Sequence, residues 1–473
     1  MVATGSIPAS GQDAAGQSQS PQPRPIQNSV DNAVNPAPAP ALSSIAGMQI
    51  GSAEDTNSIL PQIPALLGGI GVSPTFVSEL ERSNYLRGGV NVGAAYDDNP
   101  LLLSNSGPGN ASVSIFPNLS IEQSSSRMRW KLGYAGGLTV NQRFTNQDEG
   151  SHNLNFDSQY RLSPHVNLRV AENFSLTTGF FDAGNGLEPV SGSAGPNGSL
   201  ITPLATQRSS LTTVETNYHF ALNDLVGASG SFYDLHFTNP PADAASGTQL
   251  TYPLTGSETE SGSVFWLHRV FRDDWAGASY RFARISFNGG ESQVHSFFAV
   301  DTLKLSTRFL LTGFVGPQYS ENVGLLAPGM APDDWSVAGG VEGGWRDERT
   351  SLFAGFSRSI SDGGGVLGAV RLQSVYANFR RQLVPGWAAA VTASHGTNQA
   401  FLLLCPTCAS SINLTSAGIS VERNVGKSMG LRMGYTHDLQ SESGAAGAFS
   451  TLDASRNRFF VTLSYQWAKP LGM

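Results

Sequence analysis

Between Tyr85 and Trp467 the chain is a succession of strand-patterned segments whose connections are alternately short and long. No other feature constrains the fold as much. A soluble β-sheet protein has no reason to keep every second connection tight while the others grow. A transmembrane β-barrel does, because its periplasmic turns are short and its extracellular loops long. Short connections fall at 124–126, 162–165, 221–224, 272–274, 346–349, 383–386 and 424–427, with a less marked one near 305–306. Their Pro, Gly, Asn, Asp and Ser content suits tight turns. Long connections follow Tyr96, Val140, Thr178, Phe237, Phe287, Tyr319, Ile360, Ala393 and Leu439. The tally gives about 18 strands, with 16 as the alternative, and both chain ends on the turn side, as single-chain barrels require.

Successive side chains of a strand face opposite ways, so one face can be apolar and the other polar. The first segment places Leu86, Val90, Val92 and Tyr96 on one face, with Arg87, Asn91 and Asp97 on the other. The third sets Met128, Trp130, Leu132, Tyr134, Leu138 and Val140 against Arg127, Arg129 and Lys131. The last sets Phe459, Val461, Leu463, Tyr465 and Trp467 against Thr462, Ser464 and Gln466. Runs of about 9–13 residues match tilted strands crossing a bilayer. Strands of soluble sheets are nearer 5–6 residues. The expected fold is all-β: an antiparallel, up-and-down transmembrane barrel over 85–473.

Composition agrees. Charged residues are 14% of the chain, against roughly a quarter in soluble domains. Mean hydropathy is -0.13, and no run of apolar residues is long enough for a membrane helix. Alternation averages a barrel to such a value. The net charge is -8 with no basic patch, which argues against nucleic acid. Trp130, Trp275, Trp345 and Trp387 adjoin short turns and Trp467 closes the last strand, so these five are expected in the membrane interface.

The corner Ala95-Tyr96-Asp97-Asp98-Asn99 after the opening strand, with the hairpin series behind it, resembles an outer-membrane β-barrel porin family. Its members are often linked to exopolysaccharide or capsule systems. The resemblance covers about 85–473 and implies placement in the bacterial outer membrane, in contact with its lipid, with no catalytic residues and no cofactor. The aromatic last strand resembles the terminal strand that barrel-assembly machinery reads, although Ala468-Lys469-Pro470-Leu471-Gly472-Met473 follow it.

Ahead of the barrel, 1–11 resembles the end of a signal peptide, with Ala9-Ser10-Gly11 as small residues of the cleavage-site kind. Residues 12–84 open Pro-, Ser- and Gln-rich, a composition that cannot offset its ordering entropy. They read as a disordered periplasmic extension able to meet a periplasmic partner. Cys405 and Cys408 form a CxxC in an expected loop, with no second pair to complete a metal site, and read as a loop disulfide or as residues without a role.

Nothing marks a catalytic centre. The eight histidines are scattered. His395 and His437 fall near outer strand ends without a marked serine partner. Asp97-Asp98-Asn99 and Asp333-Asp334 offer oxygen ligands for a divalent cation, but read more simply as solvated loop carboxylates. Function should therefore sit in the lumen, since barrels of about 16–18 strands leave an aqueous channel. Expected pore-lining residues are Arg87, Arg127, Arg129, Lys131, Asp157, Arg161, Arg169, Glu342 and Arg432. The connection at about 179–208 is the expected constriction loop. The leading expectation is a porin-like channel for ions and small hydrophilic solutes. An exopolysaccharide-export barrel and a structural or adhesive surface barrel are the alternatives. No oligomer interface is legible.

Overall fold

The computed structural model describes residues 84–100, 108–143, 149–178, 206–238, 254–271, 274–306, 308–403, 410–426, 428–443 and 453–471. The strands are β1 (Tyr85–Asp97), β2 (Asn110–Ser124), β3 (Met128–Asn141), β4 (Glu149–Arg161), β5 (Val166–Thr178), β6 (Thr206–Ala221), β7 (Asp224–Thr238), β8 (Ser257–Phe271) and β9 (Asp274–Phe287). They continue as β10 (Gly290–Ser306), β11 (Phe309–Gly324), β12 (Asp333–Arg346), β13 (Thr350–Gly363), β14 (Leu367–Val384), β15 (Trp387–Ala400), β16 (Ser411–Val425), β17 (Met429–Ser443) and β18 (Ala454–Pro470). Each pairs antiparallel with its chain neighbours, and β1 pairs with β18, so the 18-stranded sheet closes on itself. Closure leaves no edge with unpaired backbone groups, the condition for an all-β wall in lipid.

The period-2 pattern places the two faces as the sequence analysis expects. Val113, Ile115 and Leu119 on β2, Leu132, Tyr134 and Leu138 on β3, and Phe459, Val461 and Leu463 on β18 are exposed on the outer wall. Residues of the other parity, such as Ser112, Ser114 and Glu122 on β2, are buried on the inner wall. An apolar outside over a polar inside is the arrangement of a membrane barrel.

The pairings also show the tilt. Stepping from partner to partner, Gly89 leads through Asn118, Ala135, Asn153, Ser175, Ser209, Leu235 and Ser257 to Phe287. A row that starts near the turn end of β1 finishes at the loop end of β9, as inclined strands demand.

Two expectations about connections change. The one after Phe287 is not long: only Asn288 and Gly289 lie between β9 and β10, with Gly289 at φ 108. β13 and β14 likewise run on past Ile360 to a tip at 364–366. Several expected loops are therefore hairpins whose ladders outrun the bilayer. Strands reach 18 residues in β14, where about 9–11 suffice to cross.

The Tyr96-Asp97-Asp98-Asn99 corner fastens the seam between first and last strands. Asn457 donates its backbone N–H (2.7 Å) and its Nδ2 (2.6 Å) to the Asp98 carboxylate. Asn99 Nδ2 donates to the Ser455 carbonyl at 3.0 Å. These contacts join residues 356 and 359 positions apart. Asp98 is thus a seam clasp, and with Asp97 and Asn99 buried beside it the corner is not the solvated loop that the sequence suggests. Replacing Asp98 with Ala leaves the Asn457 donors without their acceptor and is expected to cost about 1–3 kcal/mol. The loss would be read as a lower temperature for the folded-to-unfolded gel shift, and an unchanged temperature would refute the clasp.

Candidate functional site: the lumen and its mouth

The inner wall carries two charged arcs. The first runs over β1–β6. Glu122 accepts from Arg129 at 2.6 Å and lies 3.7 Å from Arg87. Lys131 stands between Glu122 and Asp157 in the ladder. Arg169 pairs with Asp157, its Nε donating at 2.8 Å, and faces Glu215 across the next ladder. Asn217 donates to Glu215 at 3.0 Å. The second arc runs over β12–β17. Tyr376 donates to Glu342, while Glu422 lies 3.1 Å from Arg380 and 3.6 Å from Arg432. Arg432 also rests over the Phe460 ring at 5.7 Å.

Two carboxylates on this wall are bracketed by cations. Glu122 sits between two arginines, and so does Glu422. With Lys131, Arg161 and Arg169 on the first arc, Arg281 and Lys304 between the arcs, Arg346 at the turn end of the second, and Arg456 and Arg458 beside the seam, cations of inward parity exceed carboxylates over the described inner wall taken as a whole. The whole chain nevertheless carries -8.

Of the expected pore-lining residues, Arg87, Arg129, Lys131, Asp157, Arg161, Arg169, Glu342 and Arg432 have the inward parity of their strands. Arg127 does not line the wall. It lies in the β2–β3 turn, where its carbonyl accepts from the Arg161 N–H at 2.7 Å. Its place in the alternation is interrupted by the reversal at 125–127.

Among the expected interface tryptophans, Trp130, Trp345, Trp387 and Trp467 have outward parity. Arg423 stacks on Trp387 at 5.0 Å. Trp275 faces inward and is 4% exposed. Its neighbour in the alternation is Gly277, whereas Tyr280 and Phe282 mark the outward parity of β9. The offset is legible in the sequence, but proximity to the turn masks it. Trp335, outward at the loop end and 5.1 Å from the Tyr319 ring, is a further outer-wall tryptophan that the turn-based expectation leaves out.

Between the charged arcs lies an apolar inner strip. Leu225, Phe265, Leu267, Trp275, Phe298, Val300 and Phe314 form one cluster across β7–β11. Arg281 adds a cation to the same wall.

A buried ionic group joins β1, β17 and β18. The Asp438 carboxylate takes Arg456 Nε at 2.9 Å and Ser416 Oγ at 2.6 Å, with Arg458 at 3.8 Å. Arg456 also reaches Asp97 at 4.0 Å. Two cations and two carboxylates balance, which makes this a brace behind the seam rather than a ligand site.

Three loop-end segments leave the wall and bond to one another and to the inner wall at the mouth. The β13–β14 tip crosses to β8: Thr255 N–H donates to the Gly365 carbonyl at 2.9 Å, and Ser257 Oγ donates to Asp362 at 2.8 Å. β8 lies five strands back along the sheet, on the order of 24 Å of wall at the usual spacing. These bonds can form only if the tip spans the interior. Gly365, at φ +79 and pressed against Phe237, permits the approach.

The 325–330 and 401–403 segments join the tip through backbone bonds. Ala327 N–H donates to Phe401 C=O and Phe401 N–H to Ala369 C=O, both at 2.8 Å. Phe401 is fully buried with Ile360 against Ala283, Ile285 and Val294 of the inner wall. Arg371 lies over the Phe401 ring at 4.8 Å and binds Asp334 at 2.7 Å. The Asp333-Asp334 pair thus spends one carboxylate on this brace.

The expected constriction at 179–208 falls, up to 205, outside the described residues, as do Cys405 and Cys408. His395 and His437 bond Thr415 and Asn457, each at 2.9 Å, and neither has a serine partner among the described hydrogen bonds.

No family model matches the sequence, and no curated protein matches it. Solved structures with a similar course include the outer membrane protein OpdK of Pseudomonas aeruginosa, at 10% identity and TM-score 0.40, covering 81% of this chain and 99% of that one. OprD of the same organism gives 11% identity and TM-score 0.40 over 84% and 100%. OccAB2 of Acinetobacter baumannii gives 10% and 0.42 over 83% and 99%. At these values the likeness carries no argument about this chain.

Proposed function

We propose that the chain is a porin-like channel of the bacterial outer membrane, preferring small anionic solutes over cations and narrowed at its outer mouth by the β13–β14 tip. One observation carries the reading: an apolar outer wall encloses an inner wall on which cations exceed carboxylates. The first belongs in lipid. The second raises the local concentration of anions, as rings of Arg and Lys do in anion pores. Inner-wall groups act through solvent-filled space, so their field is screened with a Debye length of about 10 Å at 0.1 M salt and about 3 Å at 1 M.

No catalytic step enters this reading. Exopolysaccharide export, which the family resemblance implies, gains no support from the comparisons, since no family model matches.

Planar-bilayer recording of the refolded full-length protein tests the proposal. Discrete conductance steps are expected, with a reversal potential on the anion side in a KCl gradient. A silent bilayer from protein that still shows a folded-barrel gel shift would reject the channel. Cation-directed currents would reject the selectivity alone.

A further inference from the structure

We infer that the β13–β14 tip is a proton-set gate, whose latch to β8 through Asp362 closes the mouth in acid and loosens towards neutral pH. The inference rests on the reading of the lumen as a channel narrowed by this tip.

The tip is built to move. β12 pairs with β13 only as far as Gly339 and Arg358, although β12 itself begins at Asp333. From Ser359 to Gly363 β13 therefore leaves the wall. Its ladder with β14 continues, so the two strands leave as one hairpin, and β14 rejoins the wall at Val370, paired with Ala400. The register within the hairpin shifts between Ser361 and Gly363, and Gly364 and Gly365 turn the chain at φ 60 and 79. Such a shift takes a side chain out of the alternation and re-aims it. Here the re-aimed side chain is Asp362, turned to β8.

The latch is a carboxylate in a closed space. Asp362 is 1% exposed. Counted from the turn it is the thirteenth residue of β13, past the roughly 9–11 that a crossing takes. Ser257 Oγ donates to it at 2.8 Å and Ser361 Oγ at 3.4 Å, and the backbone N–H groups of Asp362 and Gly364 also donate. These donors are neutral. Burial disfavours the charged form and outweighs them, so the carboxyl is pushed up to about 6.

Charged and titratable groups surround the tip on each packed element. On β7 the Tyr233 phenol is within electrostatic reach of Asp362, and Asp234 beside it lies 3.2 Å from Arg208. Glu258 of β8 has the parity opposite to Ser257. Arg371 of β14 binds Asp334 of β12 at 2.7 Å. Arg281 of β9 stands two positions nearer the turn than Ala283, which packs with Ile360. Arg358 stands at the root of the hairpin, where the β12 ladder ends.

A released hairpin puts Asp362 in water, where an aspartate titrates near about 3.9. Closing then takes up a proton between about pH 4 and pH 6. Because the closed-state value is the higher one, the closed tip gains as pH falls and gains fully below about 4. Above about 6 the gain is gone. Two pH units bound it at about 100-fold in the closed-to-open ratio.

Single-channel recording of the full-length protein from about pH 4 to about pH 8 tests the gate, read as the time spent at a low and a high conductance level. The low-to-high ratio should fall about ten-fold or more across that range. Titration of lumen carboxylates shifts the amplitude of a level, whereas the latch shifts the time spent in it. Asp362→Asn keeps the shape and an acceptor for Ser257 but cannot ionise, and should hold the low level throughout. Ser257→Ala removes a donor to the charged form and should move the midpoint to higher pH. Each variant must keep the wild-type folded-to-unfolded gel shift.

Dwell times that ignore pH in a conducting wild type, or that shift the other way, would overturn the gate. So would Asp362→Asn with the wild-type pH dependence. A folded wild type that is silent at every pH would instead overturn the channel reading beneath it.

Discussion

Releasing the β13–β14 tip from β8 is expected to raise single-channel conductance about two-fold or more, because a pore's conductance is governed by its narrowest lining. The attachment is specific. Asp362 accepts from Ser257 at 2.8 Å, and the Gly365 carbonyl accepts from Thr255 at 2.9 Å. The variant Asp362→Ala with Gly365→Val removes the first bond and places a β-branched residue where φ is +79 and the Phe237 ring is in contact. Both changes act on the tip and leave the wall ladders intact. Strand pairing and the gel-shift temperature should therefore hold while conductance and current noise rise. Phe401→Ala should add to the effect, since this ring anchors the neighbouring segment to Ile285 and Val294. Unchanged conductance in the triple variant would show that the tip does not narrow the path.

Neutralising the arginines that bracket the inner-wall carboxylates is expected to turn anion preference into cation preference. Arg129→Gln and Arg432→Gln each leave a buried glutamate, Glu122 or Glu422, with one arginine instead of two. Arg169→Gln does the same to Asp157, leaving it only the adjacent Lys131. In 0.1 M salt, where the Debye length is about 10 Å, the reversal potential of the triple variant should change sign. At 1 M, where it is about 3 Å, wild type and variant should converge. Unaltered selectivity at low salt would place the permeating path elsewhere, along the apolar strip of Phe265, Phe298 and Phe314.

Much of the wall was legible because a strand's period is 2 and needs no distant information. Arg87 inside and Val92 outside follow from parity alone, as do Glu342 inside and Trp345 outside. Turn positions were legible too, from residues such as Gly386 and Gly426, which adopt positive φ at reversals. Parity fails where the strand stops. Arg127 shares the pattern of Arg129 yet sits in the turn, and nearness to a turn outweighed the offset of Trp275 from Tyr280. A one-residue offset moves a side chain to the other face.

The sequence by itself determined the barrel, its two faces and the side on which its turns lie, because these depend on local alternation and local turn chemistry. Tertiary structure decided how the barrel is closed and narrowed. The Asp98–Asn457 clasp joins residues 359 positions apart, and the Ser257–Asp362 latch joins residues 105 apart. Neither has a local signature. Each depends on strand tilt and on how far hairpins outrun the membrane, which emerge only when all 18 strands are in register.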